Sequence, residues 1–215
     1  LRQGRDAARR GRAGEGRSLE ALPRPAGDPA RPRGAARGRA RCAARRAAAD
    51  RLFADEYTGD NGLDWLLDRL EGDQADWLAG LPFSAVLDDT LYVHAAPDDD
   101  RTIVTELTTD EKLASLLSDV EQSRVVAGHT HMQLERLVGD KVFVNAGSVG
   151  WPYEGRPGAY WAILDDGVEL RHTEYDLERA AELVRRSGHP RAEEVAVENI
   201  LVSAPRAEAL AVFGG

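Results

Sequence analysis

One stretch, Val125 to His131, constrains the fold of this chain more than any other. It begins with an apolar run of three residues, passes through Gly128 and ends in two histidines separated by Thr130. An apolar run with a helical pattern before it and a glycine after it indicates a strand buried on both faces of a sheet. In open α/β sheets, the ends of such strands are where ligands bind. The stretch therefore predicts a strand that delivers two histidines to a site.

The flanking sequence alternates between helical and strand patterns. Leucines at helical spacing predict a helix with Thr109 as its N-cap. Strands are predicted over 83–87, 90–94, 124–127, 134–138, 141–144, 159–164 and 168–174, with tight turns at Asp88-Asp89 and Gly139-Asp140. Further helices are predicted within 63–81, over 176–188, and in two stretches after residue 191 that Pro205 separates. This mixture predicts the α/β class.

Charge is divided unevenly along the chain, whose net charge is -9. Residues 1–50 carry 14 arginines and five acidic residues, whereas residues 51–215 carry 14 basic and 32 acidic residues. An acidic body of this kind repels nucleic acid, which is therefore not an expected partner. Cys42 is the one cysteine, so no intrachain disulfide can form, and no apolar run approaches the roughly 18–20 residues that span a bilayer. We expect a cytoplasmic protein with no membrane partner.

Residues 1–50 form a low-complexity segment in which Arg, Ala, Gly and Pro fill 39 of the 50 positions. Its large aliphatic residues are Leu1, Leu19 and Leu22, too few to offset the entropy of ordering, so the segment is predicted to be disordered. Three explanations stay open: a basic arm for nucleic acid or acidic partners, a solvated tail, and translation in the wrong reading frame. We favour the third, because all four residue types can be encoded by codons made only of G and C and because composition changes abruptly near Asp50.

Three of the five histidines lie where apolar runs end. His94 closes one predicted strand, and His129 and His131 follow another. Imidazole is the commonest side-chain ligand of transition metals. In an extended segment the rings of His129 and His131 point to one side, with Thr130 opposite, so they can serve one metal or two metals roughly 3.5–4 Å apart. The alternatives are a core histidine with satisfied hydrogen bonds for His94 and a polar loop for the other two.

The remaining polar candidates have structural interpretations. His172 lies within a predicted strand and His189 beside a glycine and a proline, so both are interpreted as structural. The run Asp98 to Asp100 has the ligand type of a hard cation, but we favour a solvated acidic loop.

The motif Gly128 to His131, with Val93 to Ala95 before it and Asn145 to Gly150 after it, resembles the C-terminal half of the calcineurin-like metallophosphoesterases, and most closely their small bacterial and archaeal phosphodiesterases. The resemblance covers about residues 50–190. It implies an αββα sandwich and a centre of two divalent ions, with manganese expected first and iron, zinc, nickel or magnesium as alternatives. It also implies hydrolysis of a phosphodiester or phosphomonoester by a metal-activated hydroxide.

The same resemblance implies roles for individual residues. His94 and His129 would bind one metal and His131 the other, and the substrate would be bordered by Asn145, Gly147 and Ser148. Residues 1–50 lack the Asp-x-His, Gly-Asp and Gly-Asn motifs that the family carries in its N-terminal half, which predicts that this part is missing or scrambled. Three histidines alone form a neutral, open site that should hold two cations weakly. A non-catalytic relic, or a regulatory or binding domain of the same fold, is the alternative.

The sequence thus predicts three segments. Residues 1–50 are the low-complexity segment, residues 51–190 an incomplete metallophosphoesterase domain, and residues 191–215 a C-terminal helical tail. A phosphate ester is the expected small-molecule partner, and the oligomeric state is left open.

Overall fold

The computed structural model describes residues 63–70 and 73–213. The helices in this part of the chain are α1 (Leu63–Arg69), α2 (Gln74–Ala79), α3 (Asp110–Leu116), α4 (Leu177–Arg186), α5 (Ala192–Glu194) and α6 (Arg206–Phe213), with a π-helical segment (Val195–Leu201) between α5 and α6. The strands are β1 (Ala85–Leu87), β2 (Thr90–Tyr92), β3 (Arg124–Ala127), β4 (Gln133–Val138), β5 (Lys141–Ala146), β6 (Ala159–Leu164) and β7 (Val168–Thr173). The predicted low-complexity segment over residues 1–50 lies outside the described residues.

The main sheet has the strand order β1-β2-β3-β5-β4. Strands β2, β3 and β5 run parallel, whereas β1 and β4 pair antiparallel at the two edges. Strand β3 is central, with Val125 and Ala127 buried. Arg124 and Val126, on the other face of the strand, are only partly buried. The prediction of a strand buried on both faces is therefore confirmed for one face only.

Two short turns join the antiparallel pairs. Asp88-Asp89 connects β1 to β2 and Gly139-Asp140 connects β4 to β5, as predicted. Asp88 and Gly139 adopt positive φ values of 51° and 63°, the backbone form that two-residue hairpins require. Strand β1 begins at Ala85 rather than at the predicted Phe83, and its side chains are exposed, because β1 lies at the sheet edge and pairs with β2 alone.

Helix α3 and its C-cap residue Leu117 cover the main sheet with large apolar side chains. The Thr109 hydroxyl caps the helix by accepting a hydrogen bond from Lys112 N at 3.2 Å, which confirms the predicted N-cap. Leu113 and Leu117 are buried against Phe143 in the core cluster. Burying one such side chain stabilises a fold by about 1.5–3 kcal/mol, so this contact fixes the helix on the sheet.

Gln133 helps to join a second sheet, β6-β7, to the first. Gln133 Nε2, at the start of β4, lies within hydrogen-bond distance of three backbone carbonyls, so its two hydrogens are shared among Ala146 O at 3.2 Å, Trp161 O at 2.9 Å and Arg171 O at 3.1 Å. These acceptors lie in β5, β6 and β7 respectively. The end of β5, and with it the loop that follows, is thereby held beside the second sheet.

Helix α6 returns to the same region through Arg206. Its guanidinium pairs with Glu106 at 2.7 Å and Glu154 at 2.8 Å and donates to Gln133 O at 3.0 Å. The two helical stretches predicted on either side of Pro205 are therefore present and are tied to the body. In the ranges 63–70 and 73–213, a helix both long enough and apolar enough for a bilayer is not found.

Candidate metal centre

The ends of β2 and β3 bring His94 and His129 together. The parallel ladder continues past both strands, with Val93 N donating to Val126 O at 3.0 Å and Gly128 N to His94 O at 2.9 Å. The two segments therefore leave the sheet side by side. His94 Nε2 and His129 Nδ1 lie 3.1 Å apart, and their ring centroids are 4.9 Å apart at an interplanar angle of 63°.

This nitrogen–nitrogen distance suits a shared metal ion. Imidazole nitrogens bind zinc at about 2.0–2.1 Å, so two nitrogens on one ion are separated by roughly 2.9–3.4 Å for tetrahedral to octahedral angles. The observed 3.1 Å falls within this interval. Without an ion, the same distance accommodates a hydrogen bond in which one neutral ring donates to the other. His94 and His129 thus fit a single ion as a pair of ligands.

The loop that carries the histidines is turned, not extended. His129 and His131 have φ values of 64° and 56°, and Thr130 N donates to Gly128 O at 2.8 Å across His129. The expectation that residues 129–131 form an extended segment is therefore wrong. Left-handed backbone is uncommon for a residue with a Cβ and costs on the order of 1–3 kcal/mol, so neighbouring contacts must hold both histidines in it.

Asn145 provides those contacts from the end of β5. Its side chain is buried, and its amide nitrogen donates to Gly128 O and, at 2.9 Å, to Thr130 Oγ1. Its amide oxygen accepts from Gly147 N at 2.9 Å. Thr130 is itself buried, with its hydroxyl 3.5 Å from Val104 O. Asn145 therefore braces the histidine loop, and the substrate-binding role predicted for it stays a prediction.

His131 packs against two aromatic rings. It stacks on Tyr153 with centroids 5.6 Å apart and contacts Trp151 at 5.9 Å. Its Nδ1 is buried and has no hydrogen-bond partner within the described part of the chain. Burial lowers the pKa of His131; a hydrogen bond with the Trp151 backbone opposes this in part, and the nearby rings of His129 and His94 add to the lowering. Its imidazole is therefore kept neutral, which is the form that binds metals.

The other predicted site residues lie in the loop after β5. Gly147 has φ 84°, and a Cβ there would lie 2.8 Å from both Gln133 Cγ and Tyr160 Cβ, so this position requires glycine. Ser148 Oγ accepts from Trp151 N at 3.0 Å. Through Trp151, which contacts His131, this loop borders the histidines.

A complete metal shell is not formed by the residues in 63–70 and 73–213, where no group of three or more His, Cys, Asp and Glu side chains could hold an ion. Asp99 belongs to the loop after β2, but its carboxylate accepts from Thr102 Oγ1 at 2.7 Å and from Arg101 N at 2.8 Å. These hydrogen bonds, with a smaller effect of His129, lower the pKa of Asp99. The described residues thus offer imidazoles for a metal, and this carboxylate orders its own loop.

Neither a protein-family model nor a curated protein matches the sequence. Solved structures do match. A metallophosphoesterase from Sphaerobacter thermophilus aligns with a TM-score of 0.57 and 20% identity over 74% of each chain. The chain has the metallophosphoesterase fold. A hypothetical protein from Pyrococcus horikoshii OT3, PH1004, aligns with a TM-score of 0.59 and 18% identity over 73% of this chain and 66% of that one.

The predicted α/β metallophosphoesterase architecture is thereby confirmed as a fold. The matched region spans about two-thirds of PH1004 and about three-quarters of the Sphaerobacter protein, and at these identities the likeness concerns architecture. In this fold His94 and His129, two of the three histidines that the sequence singled out, lie side by side, and the metal-binding roles predicted for the three stay predictions.

Sequence reasoning missed two groups of residues at the site. The first is the aromatic pair Trp151 and Tyr153, to which no role was assigned from the sequence. A signal was available, since the two aromatics directly follow the Gly147 to Gly150 segment. The second is the buried Thr130, whose partners lie 15 and 26 residues away and which nothing in the local sequence identifies.

Proposed function

We propose that this chain is a metal-dependent phosphoesterase that hydrolyses a phosphodiester or phosphomonoester. The observation that carries the proposal is the convergence of His94 Nε2 and His129 Nδ1 at 3.1 Å where two parallel strands end. The proposed cofactor is a pair of divalent ions, of which manganese is the first to test. His94 and His129 would hold one ion, and His131 would contribute to the second.

When bound, such ions supply a metal-activated hydroxide and neutralise the phosphoryl oxygens. The residues of the chain prepare for this chemistry. Burial keeps the His131 imidazole neutral, and the unpartnered Nδ1 of that ring offers a lone pair for a ligand. Asn145 holds His129 and His131 in their left-handed turns, so the positions of both rings are set before any ligand binds.

The loop formed by Asn145, Gly147 and Ser148 is the proposed border of the substrate. Ser148 Oγ accepts a hydrogen bond from Trp151 N, and its own hydroxyl hydrogen can donate to a phosphoryl oxygen. Gly147 allows the backbone to turn between Tyr160 and Gln133 without a clash. In this proposal Ser148 touches the ester, and the other two residues shape the loop that presents it.

Manganese binding and hydrolysis of a chromogenic phosphodiester by the full chain test the proposal. We expect the parent protein to bind manganese and to hydrolyse the diester only in its presence. His129→Ala should lower the rate by more than about 100-fold, because loss of a residue that merely orients a ligand already costs 10–100-fold. His189→Ala is the matched control: this histidine lies outside the site, beside Trp65, and its removal should leave the rate unchanged.

The opposite result would be clear. A parent chain that binds no manganese and hydrolyses neither a diester nor a monoester contradicts the proposal. So does hydrolysis that is equal in the parent and in His129→Ala.

A further inference from the structure

An aromatic cluster borders the histidine loop. Trp151 and Tyr153 contact His131 with ring centroids 5.9 Å and 5.6 Å away, and they meet each other edge to face at 6.0 Å. Phe213 of α6 packs against Tyr153 at 5.8 Å. The cluster therefore connects a proposed metal ligand to the surface of the protein.

Core packing accounts for Tyr153 but leaves Trp151 unexplained. Tyr153 lies between His131 and Phe213, and burial raises the pKa of its phenol. Trp151, in contrast, exposes 44% of its surface. Trp77 and Trp161 are almost as exposed, at 39% and 38%, so the position of Trp151 beside His131 is what distinguishes it. An exposed indole beside a proposed reaction site is available to an aromatic ligand.

The backbone around Trp151 is fixed on both sides. Trp151 N donates to Ser148 Oγ at 3.0 Å. The next residue, Pro152, is buried, and its carbonyl accepts from Ser203 Oγ at 2.7 Å. The indole is therefore presented from an ordered segment, which reduces the entropy lost when a ligand stacks on it.

We propose that the Trp151 indole stacks on the nucleobase of a small nucleotide ester whose phosphate lies at the histidine loop. This assignment rests on the proposed function, since it places the phosphate at His94, His129 and His131. In a nucleotide the base and the phosphate are separated by one ribose. Trp151 is in direct ring contact with His131, so a base on the indole and a phosphate at the histidine loop can belong to one small molecule. Stacking tolerates all bases, because each has a π-face, so a preference for the base over no base is expected.

The excess of acidic residues in the chain favours a small ester over a polymeric one. Residues 51–215 carry 32 acidic against 14 basic residues. Asp99, beside the exposed Asp98 and Asp100, lies near enough to His129 for their charges to interact. A polynucleotide would bring many phosphates against this negative surface, whereas a mononucleotide or dinucleotide brings few. The geometry and the charge therefore agree on a small nucleotide.

Calorimetric titration of the manganese-loaded full chain with the methylenephosphonate analogues of adenosine 5′-monophosphate and of ribose 5-phosphate tests the stacking. The P–C bond of these probes resists hydrolysis, so the heat reports binding alone. The two probes share the phosphonate and the sugar and differ in the base. We expect the parent to bind the nucleotide analogue about 10-fold more tightly. Trp151→Ala should bind both probes equally and Trp151→Phe should keep a preference. Trp77→Ala, which removes a tryptophan that is 39% exposed on α2, should behave as the parent does.

Each other outcome has a defined meaning. Equal affinity of the parent for the two probes, binding of neither, or an unchanged preference in Trp151→Ala overturns the stacking proposal. Hydrolysis of a chromogenic diester by the same samples separates this failure from that of the proposed function. Manganese-dependent hydrolysis without a base preference refutes stacking alone, whereas a base preference without any hydrolysis refutes the phosphoesterase activity alone.

Discussion

Asn145 is buried to 1% exposure, and one amide group serves three partners in the histidine loop. Its nitrogen donates to Gly128 O and Thr130 Oγ1, and its oxygen accepts from Gly147 N. An aspartate has the same shape but no hydrogen to donate. Replacing the amide NH2 of Asn145 by an oxygen therefore tests whether this side chain holds the loop.

Asn145→Asp should lower the free energy of unfolding by about 3 kcal/mol, because it leaves two acceptors without a donor and buries a charge beside them. Denaturant unfolding of the metal-free protein measures this loss. Asn199→Asp, in the π-helical segment, is the control and should cost about 1 kcal/mol or less. Equal stability of Asn145→Asp and the parent would mean that the amide does not brace the loop.

Two glycines with similar backbone conformation allow the cost of left-handed backbone to be distinguished from the cost of a steric clash. Gly147 and Gly139 both have positive φ, 84° and 63°, but a Cβ at Gly139 would meet nothing within 4 Å. Gly139→Ala should therefore cost only the left-handed conformation, about 1–2 kcal/mol.

Gly147→Ala should cost about 3 kcal/mol, because a clash with Gln133 Cγ and Tyr160 Cβ adds to the same conformational cost. Tyr160 Cβ is attached to the backbone of β6 and cannot rotate away. Parallel urea titrations of the two variants measure the difference. If both variants lose the same stability, the contact at Gly147 is not as tight as described.

At the scale of elements, helix α6 is joined to the loop after β5 by one ion network. Arg206 pairs with Glu154, whose carboxylate is only 13% exposed and also accepts from Gln133 N. Removing the arginine leaves that carboxylate partly buried without its cation. A hydrogen bond to a charged group of this kind contributes about 1.5–3 kcal/mol.

Arg206→Met should thus lower the free energy of unfolding by about 2 kcal/mol and speed amide exchange in α6. Arg191→Met is the control, since Arg191 pairs with the exposed Glu194 and should cost less than about 1 kcal/mol. Hydrogen exchange measured by mass spectrometry distinguishes α6 from the segment around Arg191. Unchanged exchange across residues 206–213 would contradict the proposed attachment.

The turn between β1 and β2 carries a pH-dependent contact. Asp89 Oδ1 accepts from Ser123 N at 3.1 Å, which connects this turn to the start of β3. Hydrogen bonds from Ser123, with Lys141 and Arg124 nearby, lower the pKa of Asp89 below its usual 3.8. A carboxylate whose pKa is lowered by folding stabilises the fold above its unfolded pKa, and that stabilisation is lost as the pH falls through the folded pKa.

Asp89→Asn should therefore flatten the decline in stability between about pH 5 and pH 3. Urea midpoints measured across this interval give the slope for each protein. Asp88→Asn removes a charge from the neighbouring turn position and should retain the steeper decline of the parent. Identical slopes for Asp89→Asn and the parent would exclude a role for the Ser123 contact.

At the scale of the whole molecule, the elements with local signals were predictable. The Gly139-Asp140 turn and the Thr109 cap identify β4-β5 and α3 because two-residue turns and N-caps depend on adjacent residues. Strand β1 is shorter than predicted, since Phe83 is apolar yet 50% exposed. The π-helical segment was read only as helical, because its bond from Val202 N to Val197 O leaves no distinct sequence pattern.

The site was predictable in part. His94 and His129 could be identified because they follow predicted strands, and neighbouring parallel strands end at the same edge of a sheet. The left-handed turns at the histidines depend on Asn145, which reaches them from another strand, and such long-range support has no local signature. Residues 1–62 lie outside the described structure, so the predicted loss of the family's N-terminal motifs stays a prediction. Translating the coding DNA upstream of Asp50 in its other two frames tests the reading-frame prediction.

The contacts of Arg206 also set an order of assembly. Its partners Glu154, Gln133 and Glu106 lie 52, 73 and 100 residues earlier in the chain. Closing loops of this length costs entropy before any contact forms, so these bonds are expected late in folding. During synthesis they cannot form until α6 has left the ribosome. The sheet and the paired histidines His94 and His129 can therefore be in place before Phe213 of α6 completes the aromatic cluster beside them.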